Sequence, residues 1–176
     1  MKAFTLVLLS IIVLSLLAAC ANTGAENTAS PAIAIGKISQ QTLLSKYGTF
    51  KESYQAFTLS DSDIALVKSW PSNVRVDVYF GSWCHDSQRE VPRFLKLAEQ
   101  NTQVSYQLIG VDYDKLEPSG SAQNHNIKHT ATFVIYQNNE EIGRIVERPT
   151  VSLVADISAM LKVDYKRFIN KKKALN

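Results

Sequence analysis

The sequence predicts an α/β fold in which a mixed β-sheet is flanked by helices, with a helical extension ahead of it. Two patterns carry this. The β-rich run Val74–Phe80 (VRVDVYF) is followed by a helical stretch from His85 to Gln100 and a second β-rich run from Val104 to Val111. A strand–helix–strand unit needs a crossover, which makes its two strands parallel. Thr132–Tyr136 and Glu141–Val146 are strand-like runs joined by Asn138-Asn139. Asparagine tolerates positive φ, so this junction suits a tight hairpin and an antiparallel pair. A sheet holding both kinds of pair, covered by helices on both faces, follows.

Before the domain, Met1-Lys2 and the apolar run Ala3–Ala19 form a charged n-region and an h-region, the pattern of a signal peptide (1–19) and not of a folded element. The run ends Leu16-Leu17-Ala18-Ala19-Cys20, which resembles the bacterial lipobox. That resemblance implies lipidation of Cys20, attachment to a membrane through that lipid, and a place in the bacterial cell envelope. In a Gram-negative cell, Ala21 resembles a signal for the periplasmic side of the outer membrane. The alternatives are an ordinary signal peptide cut after Ala19-Cys20-Ala21, which leaves no anchor, and a retained transmembrane helix, for which the run is slightly short. The small, polar stretch after Cys20 makes residues 20–37 a flexible tether.

Residues 38–71 are expected to form a helical extension of two helices. Leu43, Leu44, Tyr47, Phe50, Tyr54 and Phe57 recur at helical spacing, with Gly48 weakening the middle. Ser60, Asp61, Ser62 and Asp63 offer caps before Ile64-Ala65-Leu66-Val67, and Pro71 ends the section. Residues 72–163 form the domain proper. Its long helix turns Val91, Phe94, Leu95, Leu97 and Ala98 inward; Lys115–Lys128 reads as loop plus a short helix. Thr150–Leu161 is a last amphipathic helix with Val151, Val154, Ile157 and Leu161 inward. Residues 164–176, with Lys166, Arg167 and Lys171-Lys172-Lys173, are a basic tail, read as a solvated end.

The formal charge of +3 falls to +2 if Lys2 leaves with the signal, which gives no reason to expect nucleic acid as a partner. The chain holds two cysteines. With Cys20 lipidated, Cys84 is the one free thiol and no disulfide framework is possible. Cys84 lies in Phe80-Gly81-Ser82-Trp83-Cys84-His85-Asp86-Ser87, between the end of a strand and the first turn of a helix. Backbone N–H groups point outward there, and the helix dipole adds to them, so the position is expected to favour a thiolate. Three residues on, where a second thiol could close a disulfide, stands Ser87.

This order of elements, with Trp83-Cys84-x-x-Ser87 at the first strand–helix junction, resembles the thioredoxin superfamily. Trp83-Cys84 matches the family's Trp-Cys pair. Pro92, eight residues after Cys84, matches its helix-kinking proline, Val111-Asp112 its apolar-Asp pair, and Tyr136–Glu141 with Gly143 its terminal hairpin. The resemblance spans Val74 to Val163. It implies a thioredoxin-like fold, a nucleophilic Cys84 attended by Trp83, His85 and Ser87, and a substrate-binding edge at Thr130, Ala131 and Thr132. The chain departs from the family at three places. Ser87 replaces the resolving cysteine. Ala131 replaces the cis-proline, so a trans or rearranged peptide is expected there, given the cost of about 3 kcal/mol for a cis bond without proline. Val78 stands where the family has a buried acid, and Asp77 beside it faces the other side of the sheet.

A single cysteine can attack a disulfide but cannot release itself from the mixed disulfide that results. The residues therefore suggest thiol–disulfide exchange with a client protein or small-molecule thiols and disulfides, with Ser87 as hydrogen-bond donor. The competing reading is a redox-inactive binding module on the same fold. Thiol peroxidase chemistry is a lesser alternative, since Gly81 replaces the threonine such sites carry. A copper or zinc site of Cys84 with His85, His125 and His129 is another, although no tight ligand pair is present. No cofactor is expected.

Overall fold

The computed structural model describes residues 31–163. Eleven elements follow in order: β1 (Gly36–Ile38), α1 (Gln40–Lys46), α2 (Gly48–Ala56), α3 (Asp61–Lys68), β2 (Val74–Phe80), α4 (His85–Ala98), β3 (Ser105–Gly110), α5 (Ser121–Asn124), β4 (Thr132–Gln137), β5 (Glu140–Val146) and α6 (Leu153–Met160). The strands make one sheet in the order β1-β3-β2-β4-β5. β2 and β3 are parallel, with Val78 opposite Leu108. β2–β4, β4–β5 and β1–β3 are antiparallel. The hairpin between β4 and β5 turns on Asn138 (φ 54°) and Asn139 (φ 66°).

Alternation along β2 divides the core. Val76, Val78 and Phe80 join the larger cluster with Leu43, Phe50, Leu66, Phe94, Phe133 and Ile157. Helices α1 to α4 and α6 therefore all pack on that face. Tyr79 points the other way, into a smaller cluster with Ile109, Val111, Ala122, Ile127, Val134 and Tyr136. Among the described residues, only the short α5 and its flanking loops cover this second face, so helical cover is present on both faces but lopsided.

Local caps set the helix boundaries. Ser60 Oγ accepts from Asp63 N while the Asp63 carboxylate accepts from Ser60 N, a reciprocal pair that starts α3. Ser152 Oγ accepts from Ala155 N and starts α6. Val151, expected to face inward, precedes this cap and is 78% exposed. The extension holds three helices, not two: Tyr47 adopts extended angles (φ −117°, ψ 96°), ending α1 and opening α2 at Gly48. Its ring is nonetheless buried, and edge-on to Phe50.

The expected tether is shorter than 20–37. Within the described residues, the strap from residue 31 onward lies on the domain. Gly36–Ile38 is the edge strand β1, Ala34 is 4% exposed, and the Ala32 carbonyl accepts from Tyr47 Oη at 2.9 Å. Composition alone marked these small residues as linker; backbone pairing to β3 is what orders them. The signal peptide 1–19, Cys20, the rest of the tether and the tail 164–176 lie outside the described residues.

Candidate functional site

Parallel pairing of β2 and β3 forces the chain to leave β2 at the top of the sheet and cross over through α4. The turn Gly81–Cys84 lies at that exit. Cys84 N donates to the Gly81 carbonyl at 3.0 Å, closing the turn. Cys84 is then the N-cap of α4, with extended angles (φ −90°, ψ 124°). Gln88 N donates to its carbonyl at 2.9 Å, so the helix starts immediately after it. The thiol is half-buried and free.

The sulfur's hydrogen bond runs across the site, to the Thr130 carbonyl at 3.0 Å. No first-turn amide of α4 donates to Sγ among the described residues, and no side-chain capping bond forms. Ser87 is fully buried, and its Oγ accepts from Gly81 N at 3.2 Å, a bond that braces the turn from behind. The structure thus places Ser87 under the site, with its hydroxyl oxygen engaged by backbone and not by Cys84. Gln88 Nε2 donates to the Ser82 carbonyl at 2.9 Å and adds a second brace. His85 is exposed at the start of α4.

The Thr130–Ala131 peptide is cis, which corrects the trans or rearranged bond expected from the residue type. The residue type at 131 alone does not determine the isomer. In the fold this segment is held on both sides: Thr130 O takes the Cys84 thiol, Ala131 O accepts from Glu147 N at 2.7 Å, and Thr132 Oγ1 donates to the His129 carbonyl at 2.8 Å. Thr130, Ala131 and Thr132 are all buried. Of the three, Thr130 meets the thiol, through its main-chain carbonyl and not its side chain.

Trp83 lies flat beside the turn. A Cβ at Gly81 would come within 2.7 Å of its ring, so glycine is required for this packing. Tyr113 stacks on the ring at 4.6 Å and 27°. Trp83 Nε1 is buried without a partner among the described residues. Tyr113 itself is 60% exposed. It is thus the aromatic that meets solvent, a role sequence reasoning did not assign. The available signal was Asp112 at the end of β3, whose carboxylate accepts from Asp114 N at 2.9 Å and Leu116 N at 2.7 Å and shapes the loop that carries Tyr113.

The charges around the site are mostly paired. Asp86 Oδ1 accepts from Arg89 at 2.7 Å and from Arg148 at 3.2 Å, tying α4 to the loop after β5. Glu90 is buried and takes Arg89 at 2.6 Å and Arg93 at 3.2 Å. Of the candidate histidine ligands, His125 bonds Ser121 O at 2.8 Å and Tyr79 Oη at 3.1 Å on the second face, and His129 pairs with Glu147 at 3.5 Å. No group of three acidic, histidine or cysteine residues able to hold a metal occurs among the described residues. Asp77 faces the second cluster, 6% exposed, with Arg75 at 3.3 Å. Burial pushes its carboxyl above the ordinary range and outweighs the opposing pull of the Arg75 guanidinium.

Comparison with known proteins bears on the fold and the family. A curated relative, thioredoxin H9 of Arabidopsis thaliana, is 29% identical over 68 residues, covering 39% of this chain and 46% of that protein. This chain thus matches less than half the length of that relative. Among solved structures, a protein of unknown function from Pseudomonas aeruginosa superposes with a TM-score of 0.50 at 15% identity, covering 71% of this chain and 84% of that one. Chlamydomonas reinhardtii thioredoxin f2 gives 0.42 at 19% identity, covering 57% and 92%. The first of these likenesses shows the fold. The thioredoxin family model matches residues 38–158, more than half of the chain and including the whole crossover that carries Cys84, and the chain belongs to the thioredoxin family.

Proposed function

We propose that this protein carries out thiol–disulfide exchange through Cys84 alone, as a lipoprotein held in the cell envelope by Cys20. The observation that carries the reading is the half-exposed, free thiol at the N-cap of α4. In the exchange step the Cys84 thiolate attacks one sulfur of a disulfide. A new Cys84–sulfur bond forms, the old S–S bond breaks, and the departing sulfur leaves as a thiolate that takes up the proton Cys84 gave away. No net oxidation occurs. With Ser87 in place of a second thiol, the mixed disulfide persists until an external thiol repeats the step. Client polypeptides and small thiols are both chemically suitable partners.

Alkylation tests this directly. Cys84 in the folded protein should react with iodoacetamide at pH 6 faster than the same chain unfolded in urea, and Cys84→Ser should capture no partner as a mixed disulfide. Equal or slower alkylation of the folded chain, with no cysteine-dependent partners, overturns the exchange reading. One observation favours the rival, a redox-inactive binding module: among the described residues the sulfur bonds a carbonyl and accepts from no amide, the arrangement of a resting thiol. The anchor has its own test. Mass spectrometry of the mature N-terminus should find a diacylated Cys20, and an unmodified terminus would remove the membrane from this account.

A further inference from the structure

A cavity of about 200 Å³ opens where three segments meet: the loop between α2 and α3, one side of α4, and the turn that leads into α6. Phe57 and Leu59 line it from the first, Leu97 from the second and Val154 from the third. None of Gly81–Cys84 and none of Thr130–Thr132 borders it, so it is separate from the thiol.

Glu90, in the wall of this cavity, sets its chemistry. A carboxylate inside a folded protein needs donors on both oxygens to replace the solvation it had in water. Glu90 is 2% exposed, and both of its guanidinium partners converge on one oxygen: Arg89 Nε lies 2.6 Å and Arg93 Nη1 3.2 Å from Oε1. Oε2 is buried and receives no donor among the described residues. Neither arginine is spare. Arg89 also pairs with Asp86 at 2.7 Å, and the Arg93 guanidinium lies over the Phe57 ring at 5.4 Å. Asp63 lines the cavity too, its carboxylate capping α3 through Ser60. Two carboxylates against one guanidinium leave the walls with a net charge of −1. A lone water would satisfy Oε2 and leave the hydrocarbon of Phe57, Leu59, Leu97 and Val154 wetted. An occupant with one cationic donor and an aliphatic body answers both needs. The volume is that of about seven water molecules, room for a short carbon chain ending in nitrogen.

We propose that this cavity binds a primary alkylammonium group, the nitrogen donating to Glu90 Oε2 and the hydrocarbon lying against Phe57, Leu59, Leu97 and Val154. Two sources share that chemistry: a free aliphatic amine and the side chain of a lysine in a polypeptide. Cys84 takes no part, so the site stands or falls independently of the exchange reading above.

The test titrates the full mature protein at pH 7 with n-hexylamine, 1-hexanol and hexanoate, followed by NMR of the backbone amides. Hexylammonium should shift the amides of Phe57, Leu97 and Val154 saturably. It should bind about tenfold more tightly than hexanol, the margin expected of a hydrogen bond to a charged partner. Hexanoate should not bind. Glu90→Gln keeps the size of the side chain and removes its charge, so hexylammonium should fall to the affinity of hexanol. Val151 stands at the rim and is 78% exposed; Val151→Trp should plug the cavity and abolish the binding of both. Acetyl-Gly-Lys-Gly-amide separates the two sources: tighter binding than hexylamine supports the site as one for a lysine of a polypeptide, and weaker binding supports it as one for a free amine. Hexylammonium that leaves these amides unmoved overturns the proposal. So does hexanol or hexanoate binding as tightly as hexylammonium, or binding that persists in Val151→Trp. Should Glu90→Gln fail to fold by circular dichroism, the ligand series on wild type and Val151→Trp still decides.

Discussion

Gly110→Ala should undock the N-terminal strap. Gly110 closes β3, and an added Cβ would meet the Ala34 carbonyl oxygen at 2.4 Å and its carbonyl carbon at 2.7 Å. Both atoms are backbone, so no side-chain rotation relieves the clash. Van der Waals contact begins at about 3.5 Å, so the strap must retreat by roughly 1 Å. The Ala34 N–Ser82 Oγ bond, 3.0 Å long and buried, would stretch beyond hydrogen-bonding distance. Losing that bond costs about 1 kcal/mol, and overpacking a tight contact costs about 1–3 kcal/mol. Together these lower stability by about 2–4 kcal/mol, a drop in the urea midpoint of about 1–2 M for a slope near 2 kcal/mol/M. Urea unfolding followed by far-UV circular dichroism gives that number, and hydrogen exchange of residues 34–38 locates it. A variant with the wild-type midpoint and full protection of the strap would refute the reasoning.

The other expectations concern the second face and the site. Burial raises the Asp77 carboxyl, so the folded chain binds the extra proton and stability falls as pH rises from the unfolded value near 3.9 through the folded one, staying lowered above it. Asp77→Asn should therefore compare better with wild type at pH 7 than at pH 3.5 in thermal unfolding; the reverse order would mean that Arg75, and not burial, governs the group. Ser87→Cys places a second sulfur one turn from Cys84 and should form an internal disulfide under mild oxidant. Two titratable thiols persisting in a folded variant would show that residue 87 cannot reach across.

Much of the fold was legible because its elements follow strong local rules. Val74–Phe80 reads as a buried strand and is one, to the residue, because every side chain but Arg75 is buried. Asn138-Asn139 announces the hairpin, since few other residue pairs accept two left-handed conformations in a row. The extension misled at Tyr47, where helical spacing continues through a residue whose backbone is extended; tertiary packing of its ring overrides the periodicity. The strap misled because edge pairing uses backbone atoms, which leave no trace in Ala, Pro and Gly side chains. At the site, Cys84 and Trp83 were readable from their neighbours. The partner of the sulfur was not, because Thr130 reaches it by a main-chain carbonyl from 46 residues away. Tyr113 was missed for a related reason: its meaning lies in what it rests on.

The strap also bears on where this domain begins. The matched family region starts at residue 38, after most of β1 has passed. A protein trimmed to that boundary would leave Ser82 Oγ without its partner and strip β3 of its outer neighbour, baring a row of unpaired main-chain groups at a sheet margin. Such a fragment invites self-association through that margin, and its Cys84 turn would be propped less firmly than in the chain begun at residue 31.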